Sequence, residues 1–362
     1  MADNVVAYGF HNLEDYFDLN LQDTRAPNIG DALNQAFATY SRIMDGMMQV
    51  LVEPTTNFKE RWRQAGAGTL QPLSENGRPK PTRNIEHYEV AYPLQRGGDS
   101  WGGNREARAK MTIGDVNRNV VEAMRKDKDW MIRHILAAMM DNTNWDYEDD
   151  DDEVGSLTIR ALANGSGDSV KYSLRNGTRA TDDHYLASAD AISDSNNHYE
   201  TMLSELKEHP SNSGPYVAYI ASNLVTSTKG LSDFVAVANP LIQYGTNADL
   251  TDSTVDSVLA FGDEVLGSVG SMIVVESSYL PDSYAIAVAT GAGQPLAMRQ
   301  HPEASLQGLQ AVPFVENSNY AGVDYYRIAG FGARRRVAAC VGYFGVSGTY
   351  AVPSAYDAPL EV

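Results

Sequence analysis

The chain has 362 residues, 43% of them hydrophobic, and a formal net charge of −19. That is enough apolar material for two or three cored domains and excludes a disordered protein. The acidity disfavours nucleic-acid binding by the surface as a whole, and the single cysteine, Cys340, excludes an internal disulfide or a cysteine-based zinc site.

The charge is unevenly spread. Between Pro54 and Asn142 there are fifteen Lys and Arg against eleven Asp and Glu, a net of +4; the remainder carries 13 basic and 36 acidic residues. Such a region suits either an ordinary mixed helix and loop or one made to meet acidic surfaces of other subunits or to line a compartment holding polyanion. Asp makes up 29 of the 47 acidic residues, and Arg outnumbers Lys 20 to 8. Arg in place of Lys under a carboxylate-rich surface suits concentrated salt, where screening removes self-repulsion, and points to a halophilic source.

Met1-Ala2-Asp3-Asn4 lacks the basic and apolar regions of a secretory signal. The aliphatic runs Met272 to Val275 and Ala285 to Ala289 have strand length, short of the ~20 residues that span a bilayer. The chain reads as soluble, with no membrane partner.

In chain order, residues 1–54 read as an extended arm to Ile29 followed by a helix. Leu33, Ala36, Phe37, Tyr40, Met44, Met47 and Leu51 recur at three- and four-residue steps until Pro54 ends it. Residues 55–110 read as a long two-limbed loop whose tip is "PLSENGRPKPTRN", Pro72 to Asn84. Pro72, Pro79 and Pro81 remove donors and stiffen it, and Arg78, Lys80 and Arg83 charge it. A loop of this length inside a domain is usually functional or stabilised from outside. The return limb alternates at Ile85, His87, Glu89 and Ala91, as an exposed strand would, and then loses its period.

Residues 111–143 hold the strongest helix signal. Thr112 and Asp115 form a start resembling a capping box, and Val116, Val120, Met124, Met131, Ile135 and Met139 form one apolar face. Running to about Asp141, it would be roughly 45 Å long at 1.5 Å per residue.

Residues 144–195 read as a β-rich insertion with Asn-Gly turns, introduced by the acidic run Glu148 to Glu153. Asp149, Asp150, Asp151 and Asp152 could hold a hard cation weakly, but the run lacks the alternating ligands and glycine of a calcium loop, and a solvated linker is the better reading. Asn164 and Asn176 lie in glycosylation sequons. Residues 196–240 continue with a helix to Glu208, the buried strand "YVAYIAS" and a short helix near Ser222 to Thr228. Residues 241–322 contain two strands around a Pro-Asp turn, and residues 323–362 two more around glycines.

Motifs of catalysis are missing. There is no phosphate-binding glycine loop, no HExxH, no nucleophile elbow, and the seven histidines are scattered without ligand spacing. The sequence therefore offers no positive sign of a catalytic residue, a cofactor or a metal site, while a triad assembled by the fold stays open.

The layout, from arm and helix through long loop and long helix to an α/β module and a returning strand pair, resembles the major capsid protein of tailed viruses, the Hong Kong 97-type fold. The segments that carry the resemblance are "YEVAYPLQRGGDSWGGNREARAKMTIGDVNRNVVEAMRKDKDWMIRHILAAMMDN", "GSMIVVESSYLPDSYAIAVATG" and "YYRIAGFGARRRVAACVGYFG". It implies an α+β fold with N-terminal arm, extended loop, spine helix, peripheral and axial domains. It also implies self-assembly into hexamers and pentamers of an icosahedral shell around double-stranded DNA, in a virion put together in the host cytoplasm. Portal, scaffolding and decoration proteins would be its partners. The tip residues Pro72 to Arg83 would then lie across a neighbouring copy. Two other readings stay open: an encapsulin-like cellular shell, told apart by an enzyme cargo, and a soluble α/β enzyme, told apart by a discrete small oligomer with a pocket.

Overall fold

A computed structural model of the chain describes residues 40, 44, 48–63, 70–73, 75–80, 87–150, 154–164, 168–236, 264–315 and 320–360. The arm expected at residues 1–29 lies outside them. Of the helix expected after Asp31, Tyr40, Met44 and Met48 are helical. It stops before Pro54, because a turn at residues 49–51 leads into strand β1 (Val52–Thr55). β1 is an edge strand, where a proline costs no ladder bond.

The expected loop of residues 55–110 is only partly a loop. Its limbs contain β2 (Lys59–Arg63) and β3 (His87–Ala91), but Gln95–Asn104 is a ten-residue strand, β4, and Arg105–Lys110 a short helix, α1. The glycine-rich, polar β4 is a strand because β17 (Tyr320–Ala333) pairs with it. The backbones crowd: a Cβ at Gly322 would stand 2.0 Å from the Trp101 carbonyl oxygen.

The long helix α2 runs Ile113–Met140, about 42 Å at 1.5 Å per residue. Its start is the capping box expected: Asp115 Oδ2 accepts from the Thr112 N–H at 3.1 Å, and the Asp115 N–H donates to Thr112 Oγ1 at 3.2 Å. After it come two antiparallel pairs, β5 (Trp145–Glu148) with β6 (Ser156–Ile159) and β7 (Tyr172–Ser173) with β8 (Arg179–Ala180), then β9 (Tyr185–Ser188). Helix α3 (His198–Glu208), strand β10 (Tyr216–Ile220) and helix α4 (Val225–Lys229) match the expected helix, buried strand and short helix. The remaining strands are β11 (Phe234–Ala236), β12 (Glu264–Val269), β13 (Met272–Glu276), β14 (Tyr284–Ala289), β15 (Leu296–Gln300), β16 (Leu309–Val315) and β18 (Ala339–Phe344).

The chain divides into two compact units. The first takes in Arg96–Trp130 and Glu303–Ile328 together with residues up to Met44. There β16 pairs antiparallel with the first part of β17, from Leu309↔Arg327 to Val315↔Ala321. Val120, Ala123 and Tyr325 form its buried cluster, with Val116, Met124, Leu309 and Val323 packed around them.

The second unit comprises Asp45–Gln95, Met131–Pro302 and Ala329–Val362. Its main sheet has the order β11-β12-β13-β10-β14-β18-β9. β10 lies at the centre, parallel to β13 and antiparallel to β14, and all five of its residues are buried. β9, from the segment expected as an insertion, closes this sheet by pairing parallel with β18. Tyr199, Met202 and Leu206 of α3 pack on Ala285, Ala287, Cys340 and Phe344 of the sheet. Cys340 is fully buried, as its apolar neighbours indicated.

Candidate assembly loop

The β2–β3 hairpin grows from an alternating sequence. Lys59, Arg61 and Arg63 alternate with Glu60 and Trp62, and the register sets Arg61 opposite Glu89 and Trp62 opposite Tyr88. On one face Trp62 and Tyr88 pack against the buried Val90, Tyr92 and Ala297. On the other, Glu89 accepts from Lys59 at 2.5 Å and from Arg61 at 2.8 Å. These two hydrogen bonds hold its carboxyl down at about 2. The Glu89 carboxylate stays charged, and exposure keeps its cross-strand pairs modest in energy.

The hairpin root is fixed by arginine. Arg334 donates to both Glu60 oxygens, at 3.0 and 3.1 Å, and pairs with Glu53. The guanidinium groups of Arg334 and Arg335 also lie 5.8 and 5.7 Å from the Trp62 ring centre. The run Arg334-Arg335-Arg336 is thus turned inward, the third member binding Asp168 at 2.7 Å.

Beyond the root the described residues change character. Residues 70–73 and 75–80 are all exposed, and Leu70 and Leu73 show 96% and 53% of their surface. A polar clamp links these limbs: the Gln71 side chain accepts from the Lys80 N–H at 2.8 Å and donates to the Lys80 carbonyl at 3.1 Å. It holds the two limbs side by side while the leucines face outward. Two large apolar side chains on one short exposed segment are the feature expected of a surface awaiting a partner.

Of the tip residues singled out from sequence, Pro72, Arg78, Pro79 and Lys80 are exposed here, while Pro81 and Arg83 lie outside the described residues. On α2, Val120, Met131 and Ile135 are buried and Val116 and Met124 half-buried. Much of the positive charge between Pro54 and Asn142 is paired locally. Arg125 meets Glu122 and Asp129, Lys126 meets Asp99, and Lys59 and Arg61 meet Glu89. In the acidic run, Asp149 forms a buried ion pair with Arg299, Asp150 is exposed, and Asp151 and Asp152 lie outside the described residues. Asn164 is buried, its amide donating to the Asp182 carbonyl at 2.9 Å, so that sequon is closed to modification in the fold.

The reading of the histidines needs correction. His184 and His209 do not stay scattered: their ring centres are 5.5 Å apart, with Asp182 beside them. They come from separate elements, so no fixed spacing marked them. The local signals were "DDH" at Asp182 to His184 and "ELKEH" at Glu205 to His209.

Neither a protein-family model nor a curated protein matches the chain. Among solved structures it resembles a chain of Mycobacterium phage Patience, with 22% identity, a TM-score of 0.68 and 98% of each chain covered. It resembles more distantly a capsid chain of an empty GTA particle, at 11% identity and TM-score 0.48 over 83% of this chain and 90% of that one. The holo-SrpI encapsulin of Synechococcus elongatus is similar at 9% identity and TM-score 0.46, over 94% and 97%. The first likeness shows a shared α+β fold along the whole chain; the other two are too distant to carry weight.

Proposed function

We propose that the chain is a structural shell subunit, the major capsid protein of a tailed virus, assembling as hexamers and pentamers around double-stranded DNA. The fold shared with the phage chain supports this, and the observation that carries it is the loop tip with Leu70 and Leu73 turned outward. Among the described residues that segment exposes apolar surface; across a neighbouring subunit the same surface becomes a contact. In this reading residues 1–54 supply the arm and its helix, 55–110 the extended loop and 111–143 the spine helix. Residues 144–195 are an addition to the peripheral and axial domains built from the rest. The chain resides in the virion, meets portal, scaffolding and decoration proteins there, and catalyses nothing. Replacing residues 70–80 by a short Gly-Ser linker tests the reading. A folded, soluble subunit that no longer forms shells supports it, and normal shells from the variant contradict it.

A further inference from the structure

We propose that Asp182, His184 and His209 form a binding site for one divalent transition-metal ion, zinc by its ligand chemistry, with Glu205 and Glu208 available to complete the coordination. The donor atoms of Asp182, His184 and His209 lie within 4.8 Å of one another, and those of Asp182, Glu205 and Glu208 form a second such group sharing the same aspartate. Donors around a tetrahedral zinc, each at about 2.0–2.2 Å, stand roughly 3.3–3.5 Å apart. His209 Nε2 is already 3.2 Å from Asp182 Oδ2 and 3.8 Å from Glu208 Oε1.

Three of these polar atoms face one another across the cluster. His184 Nε2, His209 Nε2 and Asp182 Oδ2 are buried and make no hydrogen bond, although both rings are 1% exposed. The 3.2 Å approach of His209 Nε2 to Asp182 Oδ2 becomes an ion pair when the ring is protonated, which leaves the buried His184 Nε2 without a partner. An orphaned buried imidazole nitrogen is costly, and a fully buried pair converging with a carboxylate calls for something between them.

Surrounding contacts prepare the rings as ligands. His209 Nδ1 lies 3.2 Å from the Ser173 carbonyl oxygen, which can only accept, so Nδ1 donates there and Nε2 is the ring nitrogen turned toward Asp182. His184 packs edge-on against the Tyr172 ring, the centroids 5.3 Å apart. Its backbone is held on both sides, the N–H by the Ala163 carbonyl at 3.0 Å and the carbonyl by the Val341 N–H at 3.0 Å. The Asp182 carbonyl is held by Asn164, and the end of α3 by Arg175, which donates to the Lys207 carbonyl at 2.7 Å. Glu205 and Glu208 crowd Asp182, with carboxylate oxygens of the three within 4.8 Å of one another. A cation would relieve that crowding of carboxylates. Two imidazoles with carboxylates suit zinc better than calcium, which takes oxygen ligands alone. The ion would tie the segment before β9 to the end of α3, and this site does not depend on the shell reading.

Titrating zinc chloride into the full-length chain, stripped with a chelator and followed by calorimetry, tests the site. One zinc per chain is expected, with affinity lowered at least about tenfold in His184→Gln and in Asp182→Asn, and no heat from calcium chloride. Absence of binding, unchanged affinity in both variants, or calcium binding in preference to zinc would overturn the proposal. Should the variants fail to fold, cobalt(II) on the unaltered chain decides. An intense visible spectrum of a tetrahedral nitrogen-ligated ion is expected, and the weak spectrum of an octahedral all-oxygen ion would overturn it.

Discussion

Arg327 grips Asp127 with both arms of its guanidinium, Nε donating to Oδ1 at 2.8 Å and the second nitrogen to Oδ2, in a pair only 9% and 3% exposed. Tyr40 donates to the same Oδ2 at 2.7 Å, so the α2 carboxylate is held from the strand and from the preceding helix. Breaking one side leaves a buried charge without compensation. Arg327→Met should cost about 3–5 kcal/mol in urea unfolding of the purified chain, and the double variant Arg327→Met, Asp127→Leu should recover most of it. A double variant no more stable than the single would show that the pair itself, and not the stranded charge, matters.

Thr112 and Asp115 satisfy each other's backbone at the start of α2. Thr112→Ala removes the oxygen that accepts from the Asp115 N–H, and a loss of about 1 kcal/mol is expected by the same unfolding assay. Thr112→Ser, which keeps the oxygen, should stay close to the parent.

Asp141 ends α2 as a buried acid with Oδ2 unpartnered. Burial, partly offset by the Thr143 N–H and reinforced by Asp357, raises its carboxyl to about 6 from 3.8. Between those values the unfolded chain has lost the proton and the folded chain keeps it. Stability therefore falls as pH rises from about 4 to 6 and levels above that. Asp141→Asn should remove about 1–3 kcal/mol of that fall, read as urea midpoints at pH 4 and pH 7.

The helix α2 was legible in the sequence because its apolar residues recur at helical steps and its cap is local, both properties of one segment. β10, β13 and β14 were legible for a similar reason, as short apolar runs bounded by turn residues. β4 was not: "QRGGDSWGGN" has neither period nor β-branched residues, and it is a strand only because β17 lies alongside. The Asp127–Arg327 pair joins residues 200 apart, and the His184–His209 pair joins a loop to a helix end. Contacts made by tertiary packing leave no spacing to read. The loop tip was visible as composition, three prolines within thirteen residues, but the outward leucines were not.

Among the described residues Leu70 is almost wholly exposed and Leu73 is 53% exposed. Leu70→Ser with Leu73→Ser should leave the unfolding midpoint of the isolated chain within about 0.5 kcal/mol of the parent. The same variant should lower the yield of particles, scored by sedimentation. A destabilised chain with unchanged particle yield would place the leucines in the subunit's own core.

The most direct test of the shell reading is light scattering with negative-stain imaging of the purified chain, in molar and in dilute salt. Closed shells tens of nanometres across, or hexamers and pentamers, are expected in molar salt, loosening on dilution as the carboxylates of a chain carrying −19 lose their screening. A monodisperse monomer or dimer at every salt concentration would contradict it.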